Sequence, residues 1–193
     1  MLGVLDILYQ VLASPSYAFQ VVCEKRPLGW GVATAFFSSV VFAFVLLPYP
    51  PRLVEAIFDL DRGTLDYAPL VLVWLSVFPL ILLIQAGLLH LIALAIRGKG
   101  SYLTMFCGLC FASFPLVFFA PLALLRAIID SPSGQVIYYI GSSALFVWII
   151  WLYVIAVRQN YRFRLGKALT ACLVPFFLLI LAPLLAVVIS MAF

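Results

Sequence analysis

Charge is scarce in this chain. Asp, Glu, Lys and Arg make up 9% of its 193 residues, against about 25% in a soluble domain. A soluble globular protein is therefore excluded. Acids are scarcest: there are seven, and none falls inside an apolar stretch. With no carboxylate at membrane depth, nothing couples protons to transport, which argues against a proton-driven pump. One histidine and four cysteines leave little for a metal site, since a Cys-x-x-Cys site usually needs a second pair. No nucleophile stands with a base, and there is no phosphate loop and no pair of intramembrane carboxylates. The chain reads as a non-enzyme without cofactor. An early basic region is missing and Asp6 interrupts the first apolar run, so the start does not read as a signal peptide.

What is present is hydrophobicity. Apolar residues make up 67% of the chain, in five stretches at about 28–49, 68–96, 102–129, 137–157 and 168–191. Each reaches the ~20 residues a helix needs to cross the hydrocarbon. Barrel strands would be ~10-residue alternating segments. Of eleven Lys and Arg, eight lie before the first stretch, between the second and third, or between the fourth and fifth: Lys25, Arg26, Arg97, Lys99, Arg158, Arg162, Arg164 and Lys167. Glu55, Asp59, Asp61, Asp66 and Asp130 lie in the other connections. Basic segments stay cytoplasmic. The expected fold is all-α, a polytopic membrane bundle of five transmembrane helices. Its N-terminus is cytoplasmic and its C-terminus outside. Residues 1–27 form a cytoplasmic interfacial segment and 28–193 the transmembrane domain. The net charge of +4 sits at membrane boundaries, so the implied partners are lipids and not nucleic acid.

Leu5, Leu8, Tyr9 and Leu12 fall on one stripe of a short amphipathic helix, expected to lie in the interface. Ser14-Pro15 predicts a second helix start, running to about Glu24. Pro48-Tyr49-Pro50-Pro51 ends the first span. Leu53, Val54, Ile57 and Phe58 predict an outer amphipathic turn, and Arg97–Ser101 a tight cytoplasmic one. Pro79 offers a kink in the second span, and Pro115 and Pro121 make the third the most irregular. Pro175 and Pro183 lie in the fifth.

Several residues are candidates for chemistry. Cys107 and Cys110 stand i, i+3 on one helix face, with Cys172 near the same depth. One reading is a thiolate site for a soft metal, or a dithiol pair. The plainer one is small polarizable side chains that let helices pack closely. Gln85, His90, Ser113 and Pro115 are candidates for a cavity or substrate site, because intramembrane polar groups face a bundle interior or a wet space. The alternative for His90 is a hydrogen bond to a neighbouring helix. Asp59, Asp61 and Asp66 weakly match a calcium loop but lack its closing Glu, so they read as a solvated turn. Arg126 and Asp130 form an expected local pair of small value. Lys99, Arg158, Arg162, Arg164 and Lys167 would set topology and touch lipid headgroups, or dock an acidic cytosolic protein.

The run Gly98-Lys99-Gly100-Ser101-Tyr102, followed by Phe111-Ala112-Ser113-Phe114-Pro115, resembles the Yip family. So does the later order of Trp148 and Trp151, a basic segment, and Gly166-Lys167-Ala168-Leu169. The resemblance covers about residues 14–190. It implies five spans with a cytosolic N-terminus. Eukaryotic members are Golgi and ER proteins that associate with Rab-type GTPases. Prokaryotic members mostly have no assigned function, and transport is sometimes suggested. The long cytosolic N-terminal region through which GTPase contact is discussed does not stand ahead of the first span. The resemblance therefore implies a prokaryotic-type member in a bacterial or archaeal cytoplasmic (inner) membrane.

The leading expectation is a membrane scaffold acting through lipid and helix–helix contacts as a homo-oligomer. It rests on polar-poor spans and on the small residues Gly31, Ala35, Gly87, Gly108, Ala112 and Gly141. A rival is a small transporter or channel using the kinked third and fifth spans, which a water-filled cavity reaching His90 and Ser113 would favour. A third reading is a cysteine metal or redox site.

Overall fold

A computed structural model describes residues 3–46, 68–129 and 132–175. The described residues are helical, with no strand among them. The helices are α1 (Val4–Ala13), α2 (Pro15–Lys25), α3 (Leu28–Leu46), α4 (Ala68–Ala95), α5 (Tyr102–Ala112), a 3₁₀ turn (Phe114–Phe118), α6 (Phe119–Ile128), α7 (Pro132–Tyr161) and α8 (Leu165–Pro175). Val71–Ala95, Tyr102–Ile128 and Pro132–Tyr161 are long and apolar enough to cross a membrane. Helices α3 and α8 run up to residues outside the description. The expectations at Leu53–Phe58, at Asp59, Asp61 and Asp66, at Asp130 and at Pro183 also fall outside it.

Helix α5 is the centre of the bundle. It packs against α1, α2, α3, α4 and α7. Thr104, Met105 and every residue from Cys107 to Ala112 are buried. A helix apolar on all sides is stable only when neighbours cover all sides. The small residues make this possible. A Cβ on Gly31 of α3 would lie 3.3 Å from Cys107 Sγ and 3.4 Å from Cys110 Cβ, and one on Gly108 would lie 3.3 Å from Ala156 Cβ of α7. A Cβ on Gly141 would reach Leu122 Cδ2 of α6 at 2.8 Å. Close backbone approach of this kind is how helices associate where no hydrophobic driving force separates them from lipid.

Pro115 breaks the third predicted span, as its sequence implied. Helix α5 stops at Ala112, and Ser113 donates to the Cys110 carbonyl at 2.7 Å. Pro115 has no N–H to donate, so the chain tightens into the 3₁₀ turn before α6 begins. Helix α4, in contrast, is unbroken through Pro79.

The N-terminal helices share the core. Ile7 and Val11 of α1 and Ala18, Phe19 and Val22 of α2 belong to the same buried cluster as α5 and α7. Leu5 and Tyr9 of the expected stripe are exposed, while Leu8 and Leu12 are half-buried. Pro15 does open α2, but the Ser14 hydroxyl makes no cap bond. Its carbonyl closes the turn, accepting from the Tyr17 and Ala18 N–H groups at 3.0 and 3.1 Å. The outer faces of α4 and α7 carry exposed Leu72, Ile84, Leu91, Ile140 and Val147. Lipid solvates such surface at no cost.

Candidate functional site

Polar chemistry gathers at one end, where α2, α4 and α7 terminate beside the start of α5 and α8. Among the described residues, Arg26, Arg97 and Arg162 have positive φ, at 48°, 64° and 53°, and no glycine does. Each is the left-handed residue just past a helix. The Arg26 N–H donates to the Val22 carbonyl at 2.9 Å. Past α4, the Arg97 N–H donates to Leu94 and the Gly98 N–H to Ala93, at 2.9 and 2.8 Å. Past α7, the Phe163 N–H donates to Arg158 at 3.1 Å. These bonds satisfy the last carbonyls of the helix, and glycine usually makes them. A side chain in that conformation costs about 1–2 kcal/mol. A cation at the negative helix end returns about 0.3–1 kcal/mol. Helix stability alone therefore does not account for arginine at all three positions.

The turn between α4 and α5 is pressed flat onto the end of α7. A Cβ on Gly98 would meet Phe163 Cζ at 2.7 Å and Ala93 O at 2.8 Å. One on Gly100 would collide with the Tyr161 ring and come within 2.9 Å of Asn160 O. Between these contacts Asn160 clamps Ser101 by two bonds. The Ser101 N–H donates to Asn160 Oδ1 at 3.3 Å, and Asn160 Nδ2 donates to Ser101 O at 2.9 Å. Replacing Asn160 with alanine removes both and leaves the half-buried Ser101 N–H without its partner, while the Ser101 carbonyl keeps the Met105 N–H at 3.0 Å. We expect a loss of about 1–3 kcal/mol, read as a lower unfolding midpoint in nanodiscs. An unchanged midpoint would show that the clamp contributes nothing.

Two clefts flank this clamp. One, of about 430 Å³, is lined by Arg97, Lys99, Tyr161, Arg162, Phe163, Arg164 and Lys167. The other, of about 860 Å³, shares Lys99 and Arg162 and adds Gln20, Cys23, Glu24, Arg26, Gly100, Ser101, Thr104, Gln159 and Asn160. Arg158, grouped with these cations by sequence, lines neither. Burial pushes the Cys23 thiol up to about 11, outweighing the lowering by nearby Arg26. A raised thiol is protonated below its folded-state value, and only the thiolate reacts. Alkylation of Cys23 should keep accelerating as pH rises toward 11. A plateau near pH 9 would mean an unperturbed thiol.

The intramembrane candidates are dispersed. His90 Nδ1 lies 2.6 Å from the Tyr161 hydroxyl, so His90 meets a neighbouring helix end and not Gln85. Gln85 accepts from the Tyr153 hydroxyl at 3.5 Å. Gln85 also lines an apolar cavity of about 90 Å³ with Leu88, Leu89, Ile150, Tyr153, Cys172 and Pro175. Neither His90 nor Ser113 reaches that cavity. Ser113 and Pro115 are buried at the helix break. Cys107 and Cys110 are buried against α3, and Cys172 is buried on α8. Among the described residues no three His, Cys, Asp or Glu side chains converge as metal ligands. Sequence reasoning missed Gln20, Gln159 and Tyr161, although Gln159-Asn160-Tyr161 is the polar close of a long apolar run.

A bundle with lipid-ready faces, three helices long and apolar enough to cross a membrane, and most of its described basic residues at one end defines an integral membrane protein. The family model of the Yip1 domain matches residues 9–187, and the chain belongs to that family. No curated protein and no solved structure matched the chain.

Proposed function

We propose that this Yip1-family chain is a non-enzymatic membrane scaffold that crosses the bilayer five times, its basic end and N-terminus in the cytoplasm. Helix α1 lies along the interface, and the bacterial or archaeal inner membrane is the proposed location. The carrying observation is the separation of packing from polarity. The described spans are filled mainly by Phe, Leu, Ala, Cys and Gly, with a few buried Ser and Thr, while Arg26, Arg97, Lys99, Arg162, Arg164 and Lys167 meet at one end. Gly31, Gly108 and Gly141 are consumed within the protomer. A homo-oligomer would therefore use the exposed faces of α4 and α7. The basic end would meet lipid headgroups, or an acidic cytosolic protein.

The rival transport reading draws on the cavity beside Gln85, which touches the start of the fifth span at Cys172 and Pro175. Reconstitution separates the two. A scaffold gives a discrete cross-linked oligomer, and proteoliposomes pass small ions and solutes no faster than empty ones. Saturable flux that Gln85→Ala abolishes would establish transport instead.

A further inference from the structure

The basic end does more than a charge bias requires. Orientation by positive charge needs Lys and Arg near the membrane, in no particular conformation. Here the backbone is specific. Arg97 and Arg162 occupy left-handed positions at two helix ends that face each other across one cleft. Glycine is available in the same turn, at Gly98, yet it serves close packing against Phe163 and does not take the left-handed position. The left-handed residue of each turn is thus the one whose side chain lines the cleft.

That cleft collects Arg97, Lys99, Arg162, Arg164 and Lys167, with no carboxylate in its lining. All five are exposed. Like charges this close repel one another unless an anion sits between them. Arginine's planar fork matches phosphate oxygens in pairs, and lysine adds a point charge. The floor is rigid: Tyr161 and Phe163 stack at 5.7 Å, and the Asn160–Ser101 clamp fixes the two turns together. Lys99 and Arg162 also border the second cleft, where Gln20, Ser101, Thr104 and Gln159 supply donors and acceptors, Glu24 a hydroxyl-accepting carboxylate, and Arg26 the one further cation.

We infer that the two clefts form one site for a phosphorylated, hydroxyl-bearing anion. Its phosphate lies among Arg97, Arg162, Arg164 and Lys167. Its polar remainder lies over Gln20, Thr104 and Gln159. Lys99 bridges the two. The same chemistry is offered by a phospholipid headgroup at the membrane surface and by a soluble phosphorylated polyol. The inference deepens the reading of this end as the scaffold's contact face and rests on it for access to either source.

The test uses the full chain in nanodiscs, of phosphatidylcholine alone for the soluble arm and of phosphatidylcholine mixed with phosphatidylglycerol for the lipid arm. In the soluble arm, glycerol 3-phosphate is titrated calorimetrically, with glycerol as control. In the lipid arm, retention of phosphatidylglycerol over phosphatidylcholine is read by native mass spectrometry. The variant is Arg97→Gly with Arg162→Gly, which relieves both left-handed positions and so preserves the fold. A second variant, Arg158→Gln, removes a cation outside both clefts. We expect binding in at least one arm, weakened at least tenfold by the double glycine variant with no fall in unfolding temperature, and unchanged by Arg158→Gln. Binding in the lipid arm alone identifies a headgroup, and in the soluble arm alone a free phosphate compound. Binding in neither arm overturns the site. So does equal loss from Arg158→Gln, which is general charge attraction, or a loss that appears only with a lower unfolding temperature. Flux through the bundle would contradict the scaffold and leave these binding results standing.

Discussion

Replacing Phe111 with alanine is expected to destabilise the protein by about 3–5 kcal/mol, the range for a large buried aromatic. Phe111 is fully buried at the last turn of α5. Its ring lies against α3 where Gly31 lets the two helices touch: a Cβ there would be 3.5 Å from Phe111 Cε2. Removing the ring leaves a void at the crossing of the central helix, one residue from Ala112 and two from the Ser113 break. Neighbours held by that break cannot collapse inward to fill it. For a chain of this size the loss is a fall of roughly 10 °C in unfolding midpoint. Phe111→Leu, which keeps most of the volume, should cost much less. Equal losses from the two variants would mean that volume is not what Phe111 supplies.

The second large effect is at Gly100. Gly100→Ala places a methyl group into the Tyr161 ring and within 2.9 Å of the Asn160 carbonyl. The carbonyl is backbone and cannot swing away, so the α4–α5 turn must lift from α7. Overpacking of this kind costs about 1–3 kcal/mol. The lift also strains the Asn160–Ser101 clamp, which adds to the cost. Gly29 is the control, because nothing lies within 4 Å of a Cβ there. Inside α3, Gly29→Ala should be neutral or stabilising by up to about 1 kcal/mol. Thermal unfolding in nanodiscs compares the pair. Similar midpoints for Gly100→Ala and Gly29→Ala would show that the turn does not sit on α7 as described.

Much of the fold was legible because the signals are local. The apolar runs, the helix start at Pro15, the break at Pro115 and the turn at Gly98–Ser101 each follow from a few adjacent residues. The family motif was legible too, but its physical reason was not. Gly100 needs its missing side chain because Tyr161 lies 61 positions later in the chain, and spacing does not reveal such a partner. His90 illustrates the same limit. Sequence offered a hydrogen bond to a neighbouring helix as one reading, and the bond forms, but the partner, Tyr161 at the end of α7, could not be named from it. Among the basic residues, charge counting grouped Arg158 with Arg162, Arg164 and Lys167. The turn after Tyr161 separates them, since Arg158 is still on α7 and the others lie beyond it. The arginine conformations were invisible, because nothing in a sequence tells a left-handed arginine from an ordinary one. The small residues were read as helix–helix contacts, and Gly31, Gly108 and Gly141 make such contacts within one protomer.

The central claim is that the basic end, with its clefts, faces the cytosol in a scaffold. Site-directed labelling tests it most directly. On a Cys23→Ser background, Lys99→Cys and Arg164→Cys are each treated with a membrane-impermeant maleimide, before and after permeabilisation of intact cells. Both positions are exposed at the mouth of the cleft. The account predicts labelling only after permeabilisation, while Thr64→Cys, in the acidic connection, labels in intact cells. Labelling of Lys99→Cys and Arg164→Cys in intact cells, with Thr64→Cys protected, would invert the protein and contradict the account.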